Sequence, residues 1–295
     1  MMTKKGKAVY FTAPGKVETR TESISPDTEK EAPQELVHAE VMGISHGTEL
    51  LFYRGEIEEG TVLDENLPSL EGSFHYPVKY GYINVGITEN GTRVFCFFPH
   101  QTSFYISAEN RIEIPKDIAG RDALFLASME TAAGIVQDCA PVLGDSVLVI
   151  GQGVIGLLVT SILTRYHYGT VITVEPYKKR REISQRFGAA AVDPGDVDVR
   201  EKVLSLTSGR GADKVINVSG NSAGFQTGID CLVREGTLIE ASWYGTKPIE
   251  TRLGGAFHRK RLRVISSQVS TISPLLFRGG TKPGEWNWSG IWSGV

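Results

Sequence analysis

Apolar and polar residues are arranged in two distinct ways along the chain, and each arrangement predicts a different kind of domain. In the first part, apolar runs are short and are interrupted by Gly, Pro and Asn, without a long helical pattern. Residues 7–11 and 35–41 are predicted strands. Residues 86–91 are a predicted turn cluster before a strand at 93–98, and the pair Asn90-Gly91 is a strong hairpin signal. This pattern predicts a small, irregular β domain.

The pattern changes near Ile114 and Pro115. Residues 123–140 carry apolar side chains at helical spacing, and from Ser146 onward strands alternate with segments that we predict to be helices of roughly 10–15 residues. Such alternation is typical of an α/β fold with a doubly wound parallel sheet. The six predicted strands are residues 147–150, 171–174, 190–192, 214–218, 237–240 and 263–267.

These patterns predict the domain organisation. Residues 1–115 are assigned to the β-rich domain and residues 116–277 to the α/β domain. Residues 278–295, rich in Trp and Gly, fit no regular element.

Composition narrows the classes of function. Of the 295 residues, 41% are hydrophobic, and the net charge of −3 argues against a protein built to bind nucleic acid or an anionic membrane. The longest apolar stretch, residues 147–163, is shorter than the ~20 residues that a membrane span needs. None of the three cysteines lies in a C-x-x-C pair, which argues against a disulfide framework or a thiolate zinc site. We therefore expect a soluble, cytoplasmic protein.

Three glycines follow the first strand of the α/β domain at the spacing of a dinucleotide-binding loop. Gly151 allows a tight turn, Gly153 lets the backbone approach a pyrophosphate, and Gly156 lets the next helix pack on the strand. The helix begins near Val154 and Ile155, where free N–H groups and the positive end of the helix dipole favour phosphate. The loop therefore predicts a nicotinamide dinucleotide cofactor.

Glu175 ends the second strand of this domain, about 20 residues after the last glycine. An acid at this offset accepts hydrogen bonds from the adenosine ribose and repels a 2′-phosphate, which favours NAD. The basic run at residues 178–181 can attract that phosphate, so NADP stays open. The alternative interpretation is an ordinary βα turn, with a solvated Glu and a solvated helix start.

Several segments resemble the medium-chain dehydrogenase/reductase superfamily. They are residues 43–49, 77–82, 129–132, the glycine triplet and residues 218–220. The subgroup named for bacteriochlorophyllide hydroxyethyl dehydrogenase is the most similar, on residues 44–49, 79–82, 99–101 and 266–269. The resemblance covers about residues 7–275. It implies a GroES-like catalytic domain followed by a Rossmann domain, with the substrate in the cleft between them.

The chain departs from the zinc-dependent members of that superfamily at each metal-ligand position. It has Ser45-His46 where those members carry a Cys, Tyr82 where they carry a His, and Ala127 where their third ligand lies. His46 alone does not make a metal site. We therefore predict a zinc-independent protein.

A second departure concerns the end of the chain. The resemblance fades after Ser273 and Pro274, where superfamily members usually continue through a further helix and return to complete the catalytic domain. The sequence alone therefore suggests a truncated or frame-shifted C-terminus.

The resemblance also suggests which side chains act on the substrate. Thr48 falls where zinc enzymes keep a proton-relay hydroxyl, Tyr82 takes the place of a lost ligand, and His46 can relay protons near neutral pH. Each has a structural alternative: Thr48 as a helix cap, Tyr82 as a buried strand aromatic, and His46 as a turn residue. His100 either lines the cleft or is a satisfied loop histidine.

The remaining cofactor contacts follow from the same comparison. The resemblance places Thr131 close to the nicotinamide. Ser219 and Gly220 end the fourth strand, at the sheet edge where doubly wound domains bind ligands.

The leading hypothesis is an NAD(P)-dependent oxidoreductase acting on an alcohol/carbonyl pair or an activated C=C bond, with a homodimer left open. The alternative is a non-catalytic or truncated dinucleotide-binding homologue.

Overall fold

The computed structural model describes residues 4–28, 32–269 and 273. The chain divides into two compact units. The first contains the described residues up to Ala127 together with Trp243–Pro248, and the second contains Ser128–Ser242 and the described residues from Ile249 onward. The predicted tail at 278–295 lies outside the described residues, and the predicted boundary at residue 115 stays a prediction.

The first unit is rich in antiparallel strands, as its short apolar runs predict. One sheet has the order β2-β1-β4 and the other the order β7-β3-β5-β6-β8. These strands are β1 (Lys4–Ala13), β2 (Lys16–Ile24), β3 (Gln34–Met42), β4 (Val78–Lys79), β5 (Asn84–Thr88), β6 (Arg93–Cys96), β7 (Ser103–Ser107) and β8 (Arg111–Glu113). The predicted strands at 7–11 and 35–41 are thereby confirmed.

The predicted turn at 86–91 is only partly correct. Asn90-Gly91 does make the tight connection between β5 and β6, and Gly91 has a φ of +87°. Gly86, however, lies inside β5, opposite Ala39 of β3. A Cβ there would lie 2.5 Å from the His38 carbonyl oxygen, so this glycine marks a close approach of two strands rather than a turn.

Short helices complete the first unit and close its aromatic core. They are α1 (Thr48–Arg54), α2 (Gly120–Ala123) and 3₁₀ turns at Pro68–Leu70 and Ala108–Asn110. The inner face of α1 buries Leu51 and Phe52. The Phe52 ring stacks on Tyr80, with centroids 3.8 Å apart, and Phe74 meets it edge-on. These contacts attach α1 to the segment that follows β4.

The second unit contains the predicted doubly wound sheet. Six strands among the described residues are parallel: β9 (Val147–Ile150), β10 (Val171–Val174), β11 (Ala190–Val192), β12 (Ala212–Asn217), β13 (Leu232–Glu240) and β14 (Arg263–Ser266). Their order is β11-β10-β9-β12-β13-β14, which places the strand reversal between β9 and β12. β9 and β10 are buried along their whole length, which explains their continuous apolar sequences.

The helices around this sheet are α3 (Leu126–Cys139), α4 (Val154–Arg165), α5 (Lys178–Arg186), α6 (Val199–Leu206), α7 (Ser222–Cys231) and α8 (Ala256–Arg259). The expected length of 10–15 residues is wrong for α5, α6 and α8, which have 9, 8 and 4 residues. Glycines with positive φ follow the first two of these helices, Gly188 at +98° and Gly209 at +81°. The Gly209 N–H returns to the Leu204 carbonyl, which ends α6 early. Within the described residues, every helix is too short or too polar to cross a bilayer.

Candidate functional site

The glycine loop joins β9 to α4 and lies against the end of β12. Gly151 has a φ of +92°, and a Cβ there would lie 3.0 Å from the Ser219 Cα. A Cβ on Gly156 would lie 2.0 Å from the Gly151 carbonyl oxygen. Both positions therefore require glycine for the turn and for close packing.

Gly153 differs from its two neighbours because nothing in the protein fills the space beside it. A Cβ on this residue would meet no atom within 4 Å, although Gly153 is the N-cap of α4. The first N–H groups of the helix, starting at Val154 and Ile155, have no partner within the helix. Together with the helix dipole, this open position fits the pyrophosphate of a dinucleotide.

Gln152 holds the loop in place, a role that the glycine spacing does not reveal. Its fully buried side chain donates to the Gly151 carbonyl at 2.9 Å and accepts from the Thr160 hydroxyl of α4 at 3.0 Å. Its backbone N–H donates to Glu175 Oε2 at 2.7 Å. One residue thus connects the loop to the helix and to the end of β10.

Glu175 lies at the predicted place after β10, and its carboxylate binds backbone donors. Oε2 accepts the Gln152 N–H, Oε1 accepts the Tyr177 N–H at 3.0 Å, and the residue is only 2% exposed. Arg180 Nη1 lies 3.9 Å from Oε2, and the Arg180 guanidinium stacks over the Tyr177 ring. Glu175 therefore braces the glycine loop, and its contact with a ribose stays a prediction.

The basic run after Glu175 is not uniform. Arg181 forms an ion pair with Asp193 and donates to the Glu175 carbonyl at 2.8 Å. Lys178 and Lys179 are exposed at the start of α5. The exposed lysines and Arg180, rather than Arg181, are thus the cations available to an anionic ligand.

A polar network fixes the ends of β12 and β13 beside the glycine loop. The Ser219 hydroxyl donates to Asn217 Oδ1 at 2.7 Å, and Asn217 Nδ2 donates to Glu240 at 2.7 Å. Gly220 has a φ of +66°, and its N–H donates to the Ser242 hydroxyl at 3.1 Å. The structure thus brings Ser219 and Gly220 to the same sheet edge as Gly151. Sequence reasoning missed Glu240 and the bridging role of Asn217.

Thr131 and Glu130 lie on α3 and are both half-buried. Burial raises the pKa of Glu130 from 4.5 to about 7. A carboxyl group that titrates near neutral pH is uncommon away from functional sites. The proximity of Thr131 to a nicotinamide stays a prediction.

In the first unit, the structure brings two of the three predicted catalytic residues together. The hydroxyl groups of Ser45 and Thr48 hydrogen-bond the side chain of Tyr82. Burial raises the pKa of Tyr82, these two hydrogen bonds lower it, and the charge of Glu49 raises it. Thr48 does not cap α1, because Gly47 is the N-cap and no side chain caps the helix. The alternative interpretation of Thr48 as a helix cap is therefore wrong.

The third predicted residue, His46, is exposed in the same turn. Over the residues that the structure describes, no group of three His, Cys, Asp or Glu side chains is arranged to hold a metal ion. Ala127 is buried, and Tyr82 lies among hydroxyl groups. Zinc independence stays a prediction, which rests on the residue types at these positions.

The structure also reveals a buried contact between Glu49 and His100. The Glu49 Oε2 and His100 Nε2 atoms are 2.7 Å apart, and both side chains are nearly inaccessible. Sequence reasoning singled out His100 as either a cleft residue or a satisfied loop histidine, and it missed Glu49. The contact has no sequence signal, because the two residues are 51 positions apart.

Comparison with known proteins shows which families and relatives the chain is similar to. Residues 154–278 match the family model described as zinc-binding dehydrogenase. D-guloside 3-dehydrogenase of Escherichia coli (strain K12) is 27% identical over 185 residues, which are 61% of this chain and 52% of that protein. The part matched by the family model, less than half of the chain, is similar to zinc-binding dehydrogenases. The chain spans about half the length of the curated relatives it matches.

Solved structures share the fold along most of the chain. A zinc-binding dehydrogenase from Sinorhizobium meliloti 1021, bound to NADP, has a TM-score of 0.71 at 21% identity and covers 90% of this chain and 84% of its own. An alcohol dehydrogenase from E. coli CFT073, complexed with NADH, has a TM-score of 0.72 at 18% identity, with coverage of 92% and 85%. At these identities the comparison shows the fold alone and leaves the substrate open.

Proposed function

We propose that the protein is an NAD(P)-dependent oxidoreductase that transfers a hydride between nicotinamide and an alcohol/carbonyl or activated alkene substrate. The observation that carries the proposal is the glycine loop, with open space at Gly153 between two glycines that must stay small. A bound pyrophosphate fits that space and the N-terminus of α4. The names of the relatives, which include dehydrogenases and reductases, agree with this activity.

NAD is the favoured cofactor, and NADP is the alternative. Glu175 places a negative charge at the end of β10, where it disfavours a 2′-phosphate. Arg180 and the exposed Lys178 and Lys179 act in the opposite direction. The two comparison structures, one with NADP and one with NADH, show that this fold takes either cofactor.

Hydroxyl groups replace a metal in the proposed chemistry. When bound, the nicotinamide supplies or accepts the hydride. Tyr82 and Thr48 hydrogen-bond the substrate oxygen and stabilise the charge that develops on it. Tyr82 suits a donor role because burial raises its pKa and keeps the phenol protonated. His46, exposed beside the cluster, exchanges protons with solvent.

The proposal also includes the cellular location and the oligomeric state of the protein. We place it in the cytoplasm, acting on a small molecule. A homodimer is part of the proposal, supported by the exposed Val264 and Ile265 on β14, the edge strand of the sheet among the described residues. Sedimentation at several protein concentrations tests this point.

A cofactor titration followed by a turnover assay tests the function. Quenching of protein fluorescence by NADH and NADPH measures binding, and a panel of alcohols, ketones and enones measures turnover. We expect saturable binding, tighter for NADH, and turnover with at least one member of the panel. Binding without turnover across the panel supports the alternative of a non-catalytic dinucleotide-binding protein. Absence of binding contradicts the proposal.

A further inference from the structure

Glu49 and His100 form a buried acid–imidazole pair in the first unit, which the reaction proposed above does not use. Their exposed fractions are 3% and 5%. Placing a carboxylate at this depth is costly unless strong hydrogen bonds replace its water. Glu49 has two such bonds, one on each oxygen. Both bonds lead to segments that contact Tyr82.

The first bond connects Glu49 to the turn that contacts Tyr82. The Ser45 N–H donates to Glu49 Oε1 at 2.8 Å, and the Glu49 N–H donates to the Ser45 carbonyl at 3.1 Å. These reciprocal bonds fix residues 45–49 as a closed turn. The hydroxyls of Ser45 and Thr48, which hydrogen-bond Tyr82, both belong to that turn.

The second bond connects Glu49 to a histidine packed against the backbone beside Tyr82. A Cβ on Gly81 would lie 2.6 Å from His100 Cδ2, so the imidazole occupies the space that a side chain at Gly81 would need. The backbone N–H of His100 donates to the Tyr80 carbonyl at 3.3 Å. The pair thus contacts the Tyr82 segment twice, through Ser45 on the side chain and through His100 on the backbone.

The hydrogen bonds also define the charge of the pair. His100 Nδ1 is buried and has no hydrogen-bond partner among the described residues. A proton on Nδ1 would create an unsatisfied buried donor, which favours the neutral imidazole with its proton on Nε2, directed at Glu49. The pair therefore keeps a net negative charge on Glu49. That charge acts on Tyr82, and both Glu49 and Asp64 act on the neighbouring Tyr80.

We propose that Glu49 and His100 are positioning residues that hold the Ser45–Thr48 turn against Tyr82 and maintain a negative charge beside it, so that Tyr82 meets the substrate as a protonated donor. This inference rests on the proposed function, in which Tyr82 hydrogen-bonds the substrate oxygen. Neither member of the pair touches the substrate; both act through the turn and the phenol.

Kinetics of three variants test the positioning role. His100→Ala removes the donor to Glu49 Oε2, His100→Gln supplies an amide N–H in its place, and Tyr80→Phe is a matched change in the adjacent buried aromatic. We expect kcat to fall by about 10- to 100-fold in His100→Ala with little change in KM, because the donors are misplaced rather than lost. His100→Gln should restore most of kcat, and Tyr80→Phe should resemble wild type. An equal loss in all three variants overturns the proposal.

A second readout does not depend on turnover. NMR of protein labelled with ¹³C at the tyrosine ring follows the titration of Tyr82, assigned with Tyr82→Phe. In Glu49→Gln the negative charge is lost while the side-chain shape is kept, so Tyr82 should titrate at lower pH than in wild type; in His100→Gln it should not. An unchanged titration in Glu49→Gln overturns the proposal even if every variant is inactive. If the wild-type protein is inactive but Tyr82 titrates at lower pH in Glu49→Gln as expected, the proposed function is refuted instead.

Discussion

The glycine loop of the second unit and the hydroxyl cluster of the first unit are built in opposite ways. The loop is defined by backbone: Gly151, Gly153 and Gly156 lie within six consecutive residues, and each is explained by its own φ or by the space around it. The cluster is defined by side chains that come from separate segments, the 45–49 turn, Tyr82 and His100. Local spacing therefore encodes the proposed cofactor site, whereas tertiary contacts create the proposed substrate site.

Replacing Gly153 has the largest expected effect and tests whether the backbone of the glycine loop forms the proposed cofactor site. Gly153→Val should abolish measurable NADH binding, because the branched side chain occupies the space assigned to the pyrophosphate. Stability should change by less than about 0.5 kcal/mol, since no protein atom lies within 4 Å of the new Cβ. Calorimetric titration and urea unfolding measure the two quantities.

Gly254→Val is the matched control for this variant. Gly254 is exposed in the second unit, and a Cβ added there would also meet no atom within 4 Å. This control protein should bind NADH normally. Normal binding by the folded Gly153→Val protein contradicts the assignment of the loop.

The two units also differ in how they accommodate a buried carboxyl group, and this difference should appear in the pH dependence of stability. Glu49 has partners on both oxygens, whereas burial raises the pKa of Glu130 from 4.5 to about 7. A raised folded-state pKa adds stability that is fully present below pH 4.5 and is lost as pH rises through about 7.

Glu130→Gln removes this pH dependence. It should match wild type near pH 4.5 and be more stable at pH 8 by on the order of 3 kcal/mol. Urea unfolding at the two pH values measures the difference, with the exposed Glu182→Gln as control. An equal effect of Glu130→Gln at both pH values would show that burial does not control this carboxyl group.

A variant of Glu175 tests two roles of its carboxylate, which supports the glycine loop and is also assigned to the ribose. Glu175→Ala should weaken NADH binding by about 1.5–3 kcal/mol, roughly 10- to 150-fold, through loss of charge-assisted hydrogen bonds. NADPH should lose less affinity, since a repulsive charge disappears at the same time. Dissociation constants for both cofactors decide the point. Unchanged NADH affinity would leave the Glu175 carboxylate a structural role, through its contacts with Gln152, Tyr177 and Arg180.

Substitutions at Gly156 and Gly153 distinguish a glycine that is needed for packing from one that leaves space for a ligand. Gly156→Ala should lower the free energy of unfolding by about 1–3 kcal/mol, because the added methyl group meets the Gly151 carbonyl. Gly153→Ala should leave stability nearly unchanged. Chemical unfolding of the two variants measures both values, and equal destabilisation would mean that the two glycines do not differ as described.

The sequence predicted those parts of the molecule that depend on local pattern. β9 and β10 begin and end where the sequence predicts, because the sheet buries them on both faces. The lengths of α5 and α6 were missed, because glycines after each helix stop it early. Gly86 was misread, since a glycine in a strand and a glycine in a turn look alike in sequence.

The side-chain contacts of the site were less accessible to sequence reasoning. Gln152 occupies the variable position of the glycine loop, so its bonds to Thr160 and Glu175 have no signature. Glu49 looks like an exposed first-turn acid of α1, where acids are common. Only the fold places His100 against it.

Hydride transfer in metal-free protein tests the central claim most directly. The protein is treated with a chelator, its zinc content is measured, and it is incubated with NADH deuterated at the nicotinamide C4 and with the substrate panel. Mass spectrometry then detects deuterium in the product. We expect transfer at far below one zinc per chain, because the sequence resemblance aligns Tyr82 and Ala127 with positions where zinc-dependent dehydrogenases carry metal ligands. Transfer that appears only after zinc is restored, or no transfer by protein that binds NADH, would contradict it.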